Sequence, residues 1–308
     1  MKLLLFSNMT NISVLIVANG NPPHLLQSIA SVQSLASEII IIDIGLTKDA
    51  QNNILSLNLV TIIQEKPVEY VELLREKSKQ YAKNDYILML DPDELVPPEL
   101  ATQILENYQK YDFISIPRKN IIFGKWIQHS RWWPDYQIRL FKKDRVSWPK
   151  NLHAQPKTTG NGWTVPPDEN QALEHYNYES LDEYMAKMMR YAKADASTHL
   201  SSEETFTLPQ ALTQGSSEFI SRFFAADGYK DGMHGFTLSF MQLMYYPLVY
   251  FYYWEERKYE DKHSQNDLIN ISNHFFISTL FEALHWSKIR NTLNTKKRLI
   301  LQLLKIIQ

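Results

Sequence analysis

The chain has 308 residues, 44% of them hydrophobic and 21% charged, which is enough apolar material for one large domain or two ordinary ones. The formal net charge of −2 argues against a general nucleic-acid-binding protein. There is no cysteine, which excludes disulfides and thiolate metal sites and is typical of a reducing compartment.

The sequence predicts no targeting or membrane-spanning segment. The opening "MKLLLFSNMTN" is too short in its apolar part for a signal peptide, and a predicted strand follows at once, so we expect a cytoplasmic protein. The stretch Gly235–Trp254 is nearly long enough for a transmembrane helix, but Gln242, Pro247 and many tyrosines make it a poor lipid-facing helix. It predicts a buried or interfacial aromatic helix.

The first part of the chain alternates continuous apolar runs with segments of helical spacing. The runs predict strands at Ile12–Val17, Glu38–Asp43, Leu59–Ile63 and 86–90. Strands of this kind, separated by helices, predict a parallel sheet covered on both faces. Ligands of such sheets bind beyond the carboxyl ends of the strands, where Asp43 and Asp91 are located.

The amino-acid composition of the sequence changes after residue 120. A helix is predicted from Pro97 and a strand over Asp112–Asn120, and an aromatic and polar stretch follows. The chain then becomes helical and remains so. We therefore expect an α/β domain over residues 1–175 and a helical region over residues 176–308.

The C-terminal stretch Ser287–Gln308 carries several basic residues and no acidic one, interleaved with leucine and isoleucine. This pattern predicts a basic amphipathic helix. Such a helix can lie on anionic lipid, which would place the protein at the inner face of the plasma membrane. The alternative is a terminal helix that docks on its own domain and exposes a solvated basic face.

Three carboxylates crowd the turn after the fourth apolar run: Asp91, Asp93 and Glu94 in "YILMLDPDEL". A divalent cation such as Mg2+ or Mn2+ would relieve their repulsion and share oxygen ligands with substrate phosphates. An isolated D-x-D also fits an ordinary solvated turn. Its position at a strand end, with a second aspartate at the end of another strand, favours the metal site.

Several long stretches resemble the family-2 glycosyltransferases. These are residues 12–50, "YILMLDPDELVPPEL", and the block "IPRKNIIFGKWIQHSRWWPDYQIRLFKKD", which looks like the lipopolysaccharide core glucosyltransferase-like branch. The resemblance implies a GT-A (Rossmann-like) α/β fold, with a mostly parallel sheet flanked by helices and a C-terminal helical extension. It also implies a nucleotide-sugar-binding domain over residues 1–175.

The resemblance assigns nucleotide contacts to four positions. Ala18 and Asn19 at the first strand end, with Asp43 at the second, would hold the base and ribose of the donor. Arg75 stands where the family places an arginine near the nucleotide.

The resemblance assigns metal and diphosphate contacts to four further residues. Asp91 and Asp93 match the D-x-D motif, and His175 stands where a histidine often completes the metal site. Arg139 would contact phosphate, for which a guanidinium fork is suited. The alternatives are a structural salt bridge for Arg139 and an ordinary satisfied histidine for His175.

Three positions depart from the family pattern. Lys48 takes an acidic position in "DIGLTKD", and Glu76 replaces an asparagine. Ala154, in "NLHAQP", replaces the glutamate that is the expected general base. An inverting transfer needs a base within reach of the acceptor hydroxyl, and alanine cannot serve. His153, Asp135 or Glu174 could substitute, with Asp135 preferred because tryptophans flank it.

The sequence therefore predicts a metal-dependent, inverting glycosyltransferase. Its partners would be a nucleoside-diphosphate sugar and a glycan or glycolipid acceptor of the cell envelope, with peripheral membrane contact through the C-terminal helices. The alternative is a catalytically impaired protein that binds a nucleotide sugar or glycan. A nucleotidyltransferase would want a glycine-rich basic loop after the first strand, and "ANGNPPH" has one glycine and no Lys or Arg.

Overall fold

The computed structural model describes residues 10–68, 72–149, 155–202 and 205–290. These residues form two compact units. One contains the chain up to Ile121 together with Trp133–Asn177, and the other contains Ile122–Trp132 and the chain from Tyr178 onwards. The division into domains 1–175 and 176–308 stays a prediction, because compactness alone does not show that a unit folds independently.

The first unit begins with alternating strands and helices, as the apolar runs predict. They are β1 (Ile12–Gly20), α1 (Leu25–Val32), β2 (Glu38–Leu46), α2 (Lys48–Leu55), β3 (Val60–Gln64), α3 (Glu72–Ser78), β4 (Tyr86–Leu90), β5 (Glu94–Leu95) and α4 (Pro98–Asn107). Strands β1 to β4 are parallel and lie in the order β3-β2-β1-β4. The predicted GT-A-like α/β fold is confirmed.

Later strands extend this sheet with mixed polarity: β6 (Phe113–Ile122), β7 (Lys125–Trp126), β8 (Asp135–Lys142), β11 (Gly162–Thr164) and β12 (Leu173–Tyr178). Strands β9 (Val146–Ser147) and β10 (Lys157–Thr158) form a separate two-stranded antiparallel sheet. The order continues from β4 as β8-β6-β12-β5, and β8 runs antiparallel to both β4 and β6. This antiparallel insertion brings the first residues of β8 to the edge of the sheet where β4 ends.

The sheet is buried on both faces because successive side chains of a strand point in opposite directions. In β1, Val14 and Ile16 pack into one apolar cluster with α1 and α4. Leu15 and Val17 pack into a second cluster on the other face, which includes Leu74 of α3. The continuous apolar runs of the sequence therefore reflect two cores.

The second unit is mainly helical, which confirms the predicted C-terminal helical extension. Its main helices are α5 (Leu181–Ser201), α6 (Leu208–Phe219), α7 (Met233–Glu256) and α8 (Gln265–Ile289). Gly215 permits close packing of α6 on α7, because a Cβ atom there would collide with the carbonyl oxygen of Leu243.

Helix α7 contains the aromatic stretch that the sequence predicts to be helical, with Pro247 inside it. Within the described ranges, no helix combines the length and the apolar character needed to cross a bilayer.

Candidate functional site

The carboxyl ends of β1, β2 and β4 lie at one edge of the sheet because these strands are parallel neighbours. Ala18 of β1 is opposite Asp43 of β2 in the register, and Asn19 is exposed beside them. Gly45 is required here, since its φ is +135° and a Cβ atom would lie 2.7 Å from the Oδ1 atom of Asn19. The structure thus brings together the three residues expected to hold the nucleoside.

The carboxylate of Asp43 is fully buried and accepts four hydrogen bonds. Its Oδ1 accepts from the backbone N–H groups of Gly45 (2.8 Å) and Leu46 (2.7 Å), and its Oδ2 from the amides of Gln51 (2.7 Å) and Gln64 (2.6 Å). Burial raises the pKa of Asp43, but the four bonds outweigh it and hold the pKa below its ordinary value. These bonds fix the last residues of β2 against α2 and β3, and the role of Asp43 toward a nucleotide stays a prediction.

Asp91, directly after β4, is held by two guanidinium groups. Arg75 of α3 donates to its Oδ1 over 3.1 Å, and Arg139 of β8 donates to its Oδ2 over 2.5 Å. Burial raises the pKa of Asp91, but the charges of Arg139 and Arg75 outweigh it and hold that pKa well below its usual range. The carboxylate is therefore ionised, and ion pairs with both arginines hold it in place.

Glu94 is the third carboxylate of the turn, and the sequence alone assigns it no role. It is fully buried, and its Oε1 accepts from Arg139 (2.5 Å) while Arg118 lies 3.4 Å away. Its Oε2 accepts from the backbone N–H of Asp91 over 3.0 Å. Arg139 thus forms the salt bridge that was the alternative to a phosphate contact, and its phosphate role stays a prediction.

Asp93 is the exception in this turn because, among the described residues, no Lys or Arg contacts its carboxylate. Its Oδ2 lies 3.6 Å from the Nε2 atom of His175. Strand β12 brings His175 there, since His175 is opposite Glu94 in the register and the Tyr176 N–H donates to the Asp93 carbonyl over 2.9 Å. The side chain of Asp93 is 31% exposed and that of His175 only 6%.

Asp135 lies opposite Arg118 in the β6–β8 register and forms a close ion pair with it. Its Oδ2 accepts from the Nε (2.9 Å) and Nη2 (2.5 Å) atoms of Arg118, and Asn120 and Gln137 also donate to the carboxylate. Burial raises the pKa of Asp135, but the Arg118 charge and these hydrogen bonds outweigh it, so the pKa lies below its ordinary value. A carboxylate held in this way is a weaker base.

The other candidates for the general base are His153 and Glu174. His153 and Ala154 lie outside the described residues, so the departure at Ala154 is a sequence observation alone. Glu174 is half-buried, with its Oε1 3.8 Å from Lys119. The general-base role of Asp135 or His153 stays a prediction.

Lys48 and Glu76 are the two other departures from the family pattern, and they lie in helices α2 and α3. Lys48 is the first residue of α2, whose N-cap Thr47 accepts a hydrogen bond from the N–H of Ala50. Glu76 accepts from the backbone N–H of Trp148 over 3.0 Å and pairs with Lys79 over 2.6 Å. Glu76 thus ties α3 to the segment after β9.

The charges of this cluster do not balance. Three guanidiniums, of Arg75, Arg118 and Arg139, face four carboxylates, of Asp91, Asp93, Glu94 and Asp135. Counted over the described residues, one negative charge is left over when His175 is neutral, and it belongs to Asp93, which no guanidinium among those residues contacts. The cluster therefore attracts a cation.

The described residues contain no group of three His, Asp or Glu side chains that would hold a metal without further ligands. Mg2+ and related ions are nevertheless commonly held by one or two protein side chains, with substrate phosphates and water completing the shell. Asp93 and His175 supply one oxygen and one nitrogen donor, and thus fit a shared site of this kind.

Residues 13–159 match the family model for glycosyl transferase family 2. Among solved structures, the mannosyltransferase PcManGT from Pyrobaculum calidifontis in complex with GDP-Man and Mn2+ is 12% identical, with 94% of this chain and 89% of that chain covered and a TM-score of 0.43. S. aureus TarS 1-349 in complex with UDP is 13% identical, with 82% and 93% covered and a TM-score of 0.40.

The bifunctional IspDF from Campylobacter jejuni is 15% identical, and the match covers 56% of this chain and 53% of that chain with a TM-score of 0.37. Structural similarities of this size define no substrate, metal or reaction. The resemblance to the family-2 glycosyltransferases is confirmed by the family match, whereas the narrower resemblance to the lipopolysaccharide core branch stays a prediction.

Proposed function

We propose that this chain, whose residues 13–159 match the family model for glycosyl transferase family 2, moves a sugar from a nucleoside-diphosphate sugar to a glycan or glycolipid acceptor. The observation that carries the proposal is the unbalanced carboxylate of Asp93 beside His175, at the edge of the sheet where β4 ends. A donor with a diphosphate and a cation fits this place, because the cation is attracted by Asp93 and shared with the phosphates.

In this proposal, Asp93 and His175 would hold Mg2+ or Mn2+. The bound ion would supply positive charge for the departing diphosphate. Asp91, which the sequence pairs with Asp93 as a metal ligand, contributes chiefly by holding Arg75 and Arg139 in place. Asn19, which is exposed, would contact the nucleoside, and the buried Ala18 would support it from beneath.

The transfer is a direct displacement with inversion. The acceptor hydroxyl oxygen bonds to the anomeric carbon, the bond from that carbon to the diphosphate oxygen breaks, and the hydroxyl proton passes to a base. Asp135 and His153 are the two candidates for that base. The ion pair of Asp135 with Arg118 favours a positioning role for Asp135 over general-base catalysis. The variant Asp135→Asn distinguishes these two roles.

The test is a panel of UDP-, GDP- and dTDP-sugars, each incubated with the purified chain and Mn2+ while release of nucleoside diphosphate is measured by chromatography. We expect one donor to be turned over, and the variant Asp93→Asn to lose that turnover. Glu99→Gln is the control, since Glu99 is an exposed acid in the first turn of α4 to which no role in the site is assigned.

A second candidate is a non-catalytic protein that binds a nucleotide sugar. The observation in its favour is Ala154, at the position where relatives have the expected base. Calorimetry with the same donors separates the two functions. Binding of a donor without any release of nucleoside diphosphate would overturn the enzymatic proposal and support this one.

We also propose that the second unit contacts an anionic membrane surface. Helix α8 is fully described and none of its residues is buried, although Leu268, Ile269, Phe276, Ile277 and Leu280 are large and apolar. Helix α7 carries a further exposed stripe at helical spacing: Met233, Phe236, Phe240, Met244, Phe251 and Trp254. The basic, acid-free sequence from Ser287 to the C-terminus gives charge complementarity to anionic lipid.

Sedimentation with vesicles tests the membrane contact. We expect binding to phosphatidylglycerol-containing vesicles and weak binding to pure phosphatidylcholine. The double variant Phe276→Ser with Ile277→Ser should release the protein, whereas Asn273→Ser should not. A stable dimer that the double variant dissociates would instead show that a second copy covers α8.

A further inference from the structure

A chain of polar contacts, partly exposed at Arg118 and Asp135 and buried at its far end, leads from Arg118 to His175. Arg118 donates twice to Asp135, and the side-chain amide of Asn120 donates to the Oδ2 atom of Asp135 over 3.1 Å. The Oδ1 atom of Asn120 then lies 2.6 Å from the Nδ1 atom of His175. Asn120 is fully buried and His175 is 5% exposed, so bulk water does not replace these contacts.

The direction of each hydrogen bond in this chain follows from chemistry. The ionised carboxylate of Asp135 only accepts, so the amide nitrogen of Asn120 must be the atom that faces it. The amide oxygen of Asn120 consequently faces His175 and also only accepts. The ring nitrogen Nδ1 of His175 must therefore carry the proton.

This assignment leaves the Nε2 atom of a neutral His175 with a lone pair, and that atom faces Asp93. The distance of 3.6 Å between Nε2 and the Asp93 Oδ2 is too long for a hydrogen bond. It is within the span that two ligands of one cation can have, since each lies about 2.0–2.2 Å from such an ion. A lone pair and a carboxylate that face each other are a donor pair for a cation.

We propose that Asn120 is a positioning residue that locks His175 in the tautomer with the proton on Nδ1, so that Nε2 is free to bind the divalent cation. Asp135 and Arg118 set the orientation of the Asn120 amide and so act through it. This inference rests on the proposed metal role of Asp93 and His175, and it gives a reason for the ion pair of Asp135 that differs from general-base catalysis. Partners that orient metal-binding histidines generally change metal affinity by about 10–100-fold when they are removed.

The first test uses the unaltered protein. The ring nitrogens of uniformly 15N-labelled histidine distinguish the two tautomers by NMR, and the variant His175→Gln assigns the signals of His175 by difference. We expect the signature of a proton on Nδ1 in the metal-free protein at mildly alkaline pH. A signature of a proton on Nε2 would overturn the inference, whatever the variants do.

The second test measures Mn2+ affinity by electron paramagnetic resonance, without substrate or turnover. We expect Asn120→Leu to weaken Mn2+ binding by about 10–100-fold and to lose the Nδ1 signature. Asn120→Asp should retain that signature, because it keeps an acceptor oxygen toward Nδ1. Gln137→Leu is the matched control, because Gln137 donates to the other oxygen of Asp135, off the path to His175, and it should bind Mn2+ within about twofold of the unaltered protein.

The outcomes separate the inference from the proposed function. Cooperative unfolding of Asn120→Leu would show that the variant is folded. If this folded variant binds Mn2+ as tightly as the unaltered protein, the inference fails while the proposed metal site stands. If the unaltered protein binds no Mn2+ with or without UDP, the proposed metal role itself fails, and the inference with it.

Discussion

The ends of strands β2 and β4 look alike in the sequence and differ in chemistry. Each presents an aspartate at the same edge of one parallel sheet. At β2, Asp43 receives four neutral donors, two from the backbone and two from glutamines. At β4, Asp91 is neutralised by guanidiniums while Asp93, two residues on, contacts no Lys or Arg within the described residues.

An aspartate at this edge of the sheet is a functional candidate only when its neighbours leave its charge uncompensated. The donors around Asp43 saturate its lone pairs, which fixes the last residues of β2. The arginines around Asp91 and Glu94 rigidify the turn and leave the negative charge on Asp93 available to a cation. Four substitutions test this difference.

Replacing Asp93 by asparagine should have the largest effect on activity. It removes the one uncompensated charge and preserves the shape of the side chain, so we expect sugar transfer to fall by roughly 10²–10³-fold, as for loss of a single transition-state charge contact. Initial rates of nucleoside-diphosphate release at saturating Mn2+ measure it. Unchanged rates in Asp93→Asn would remove Asp93 from the reaction.

Replacing Asp135 by asparagine separates positioning from base catalysis. Asparagine keeps one acceptor oxygen but loses the charge that pairs with Arg118, and its NH2 group no longer dictates which end of the Asn120 amide faces residue 135. Mn2+ affinity should therefore fall by about 10-fold, and transfer should fall in parallel when Mn2+ is below saturation. If Asp135 were the general base, the maximal rate would fall by about 10²–10⁴-fold with Mn2+ affinity unchanged. Rates measured as a function of Mn2+ concentration distinguish the two results.

Replacing Asp43 by asparagine should affect stability and leave the metal site intact. The amide nitrogen of asparagine would replace one of the two oxygens and cannot accept the two hydrogen bonds that this oxygen receives, so we expect a loss of about 2–4 kcal/mol in the free energy of unfolding. Urea titration measures this loss. A variant as stable as the unaltered protein, or one with weakened Mn2+ binding, would contradict the contrast between the two strand ends.

The effect of Asp43→Asn should also depend on pH. Because the folded-state pKa of Asp43 lies below its ordinary value of 3.8, its stabilising contribution is complete above that value. The contribution is lost as the pH falls through the lower folded-state pKa. The difference in unfolding free energy between the two proteins should therefore be constant near neutral pH and shrink in acid.

Replacing Glu76 by glutamine should have the smallest effect. The amide oxygen can still accept from the N–H of Trp148, and the half-exposed ion pair with Lys79 contributes about 0.5 kcal/mol or less. Thermal unfolding and donor calorimetry measure the two properties in parallel. A 10-fold loss of donor affinity would show that Glu76 contacts the nucleotide, as the family asparagine at this position suggests.

Much of the fold could be predicted from the sequence because the signal is local. Continuous apolar runs separated by helical spacing define β1 to β4 and their helices. Asp91 is correctly predicted directly after a strand, whereas Asp43 lies three residues before the end of β2. The later strands are harder, since β8 inserts antiparallel between β4 and β6 and no local pattern encodes that order.

The site could be predicted only in part, for the same reason. The D-x-D spacing points to Asp93 and the family resemblance points to His175, and the structure places these two side chains 3.6 Å apart, while their metal role stays a prediction. The contacts of Arg118 and Asn120 could not be predicted from the sequence, because only the strand register brings them to Asp135 and His175. Glu94 is visible as a third acid in the turn, but its burial against Arg139 depends on the position of β8.

The most direct test of the account is the position of the ion itself. Crystals grown with Mn2+ and UDP, with diffraction recorded at the manganese absorption edge, locate it by anomalous scattering. We predict one strong peak bonded to the Asp93 carboxylate and to Nε2 of His175. A peak bonded to neither residue, with the Asp93 carboxylate paired to an arginine, would contradict the account.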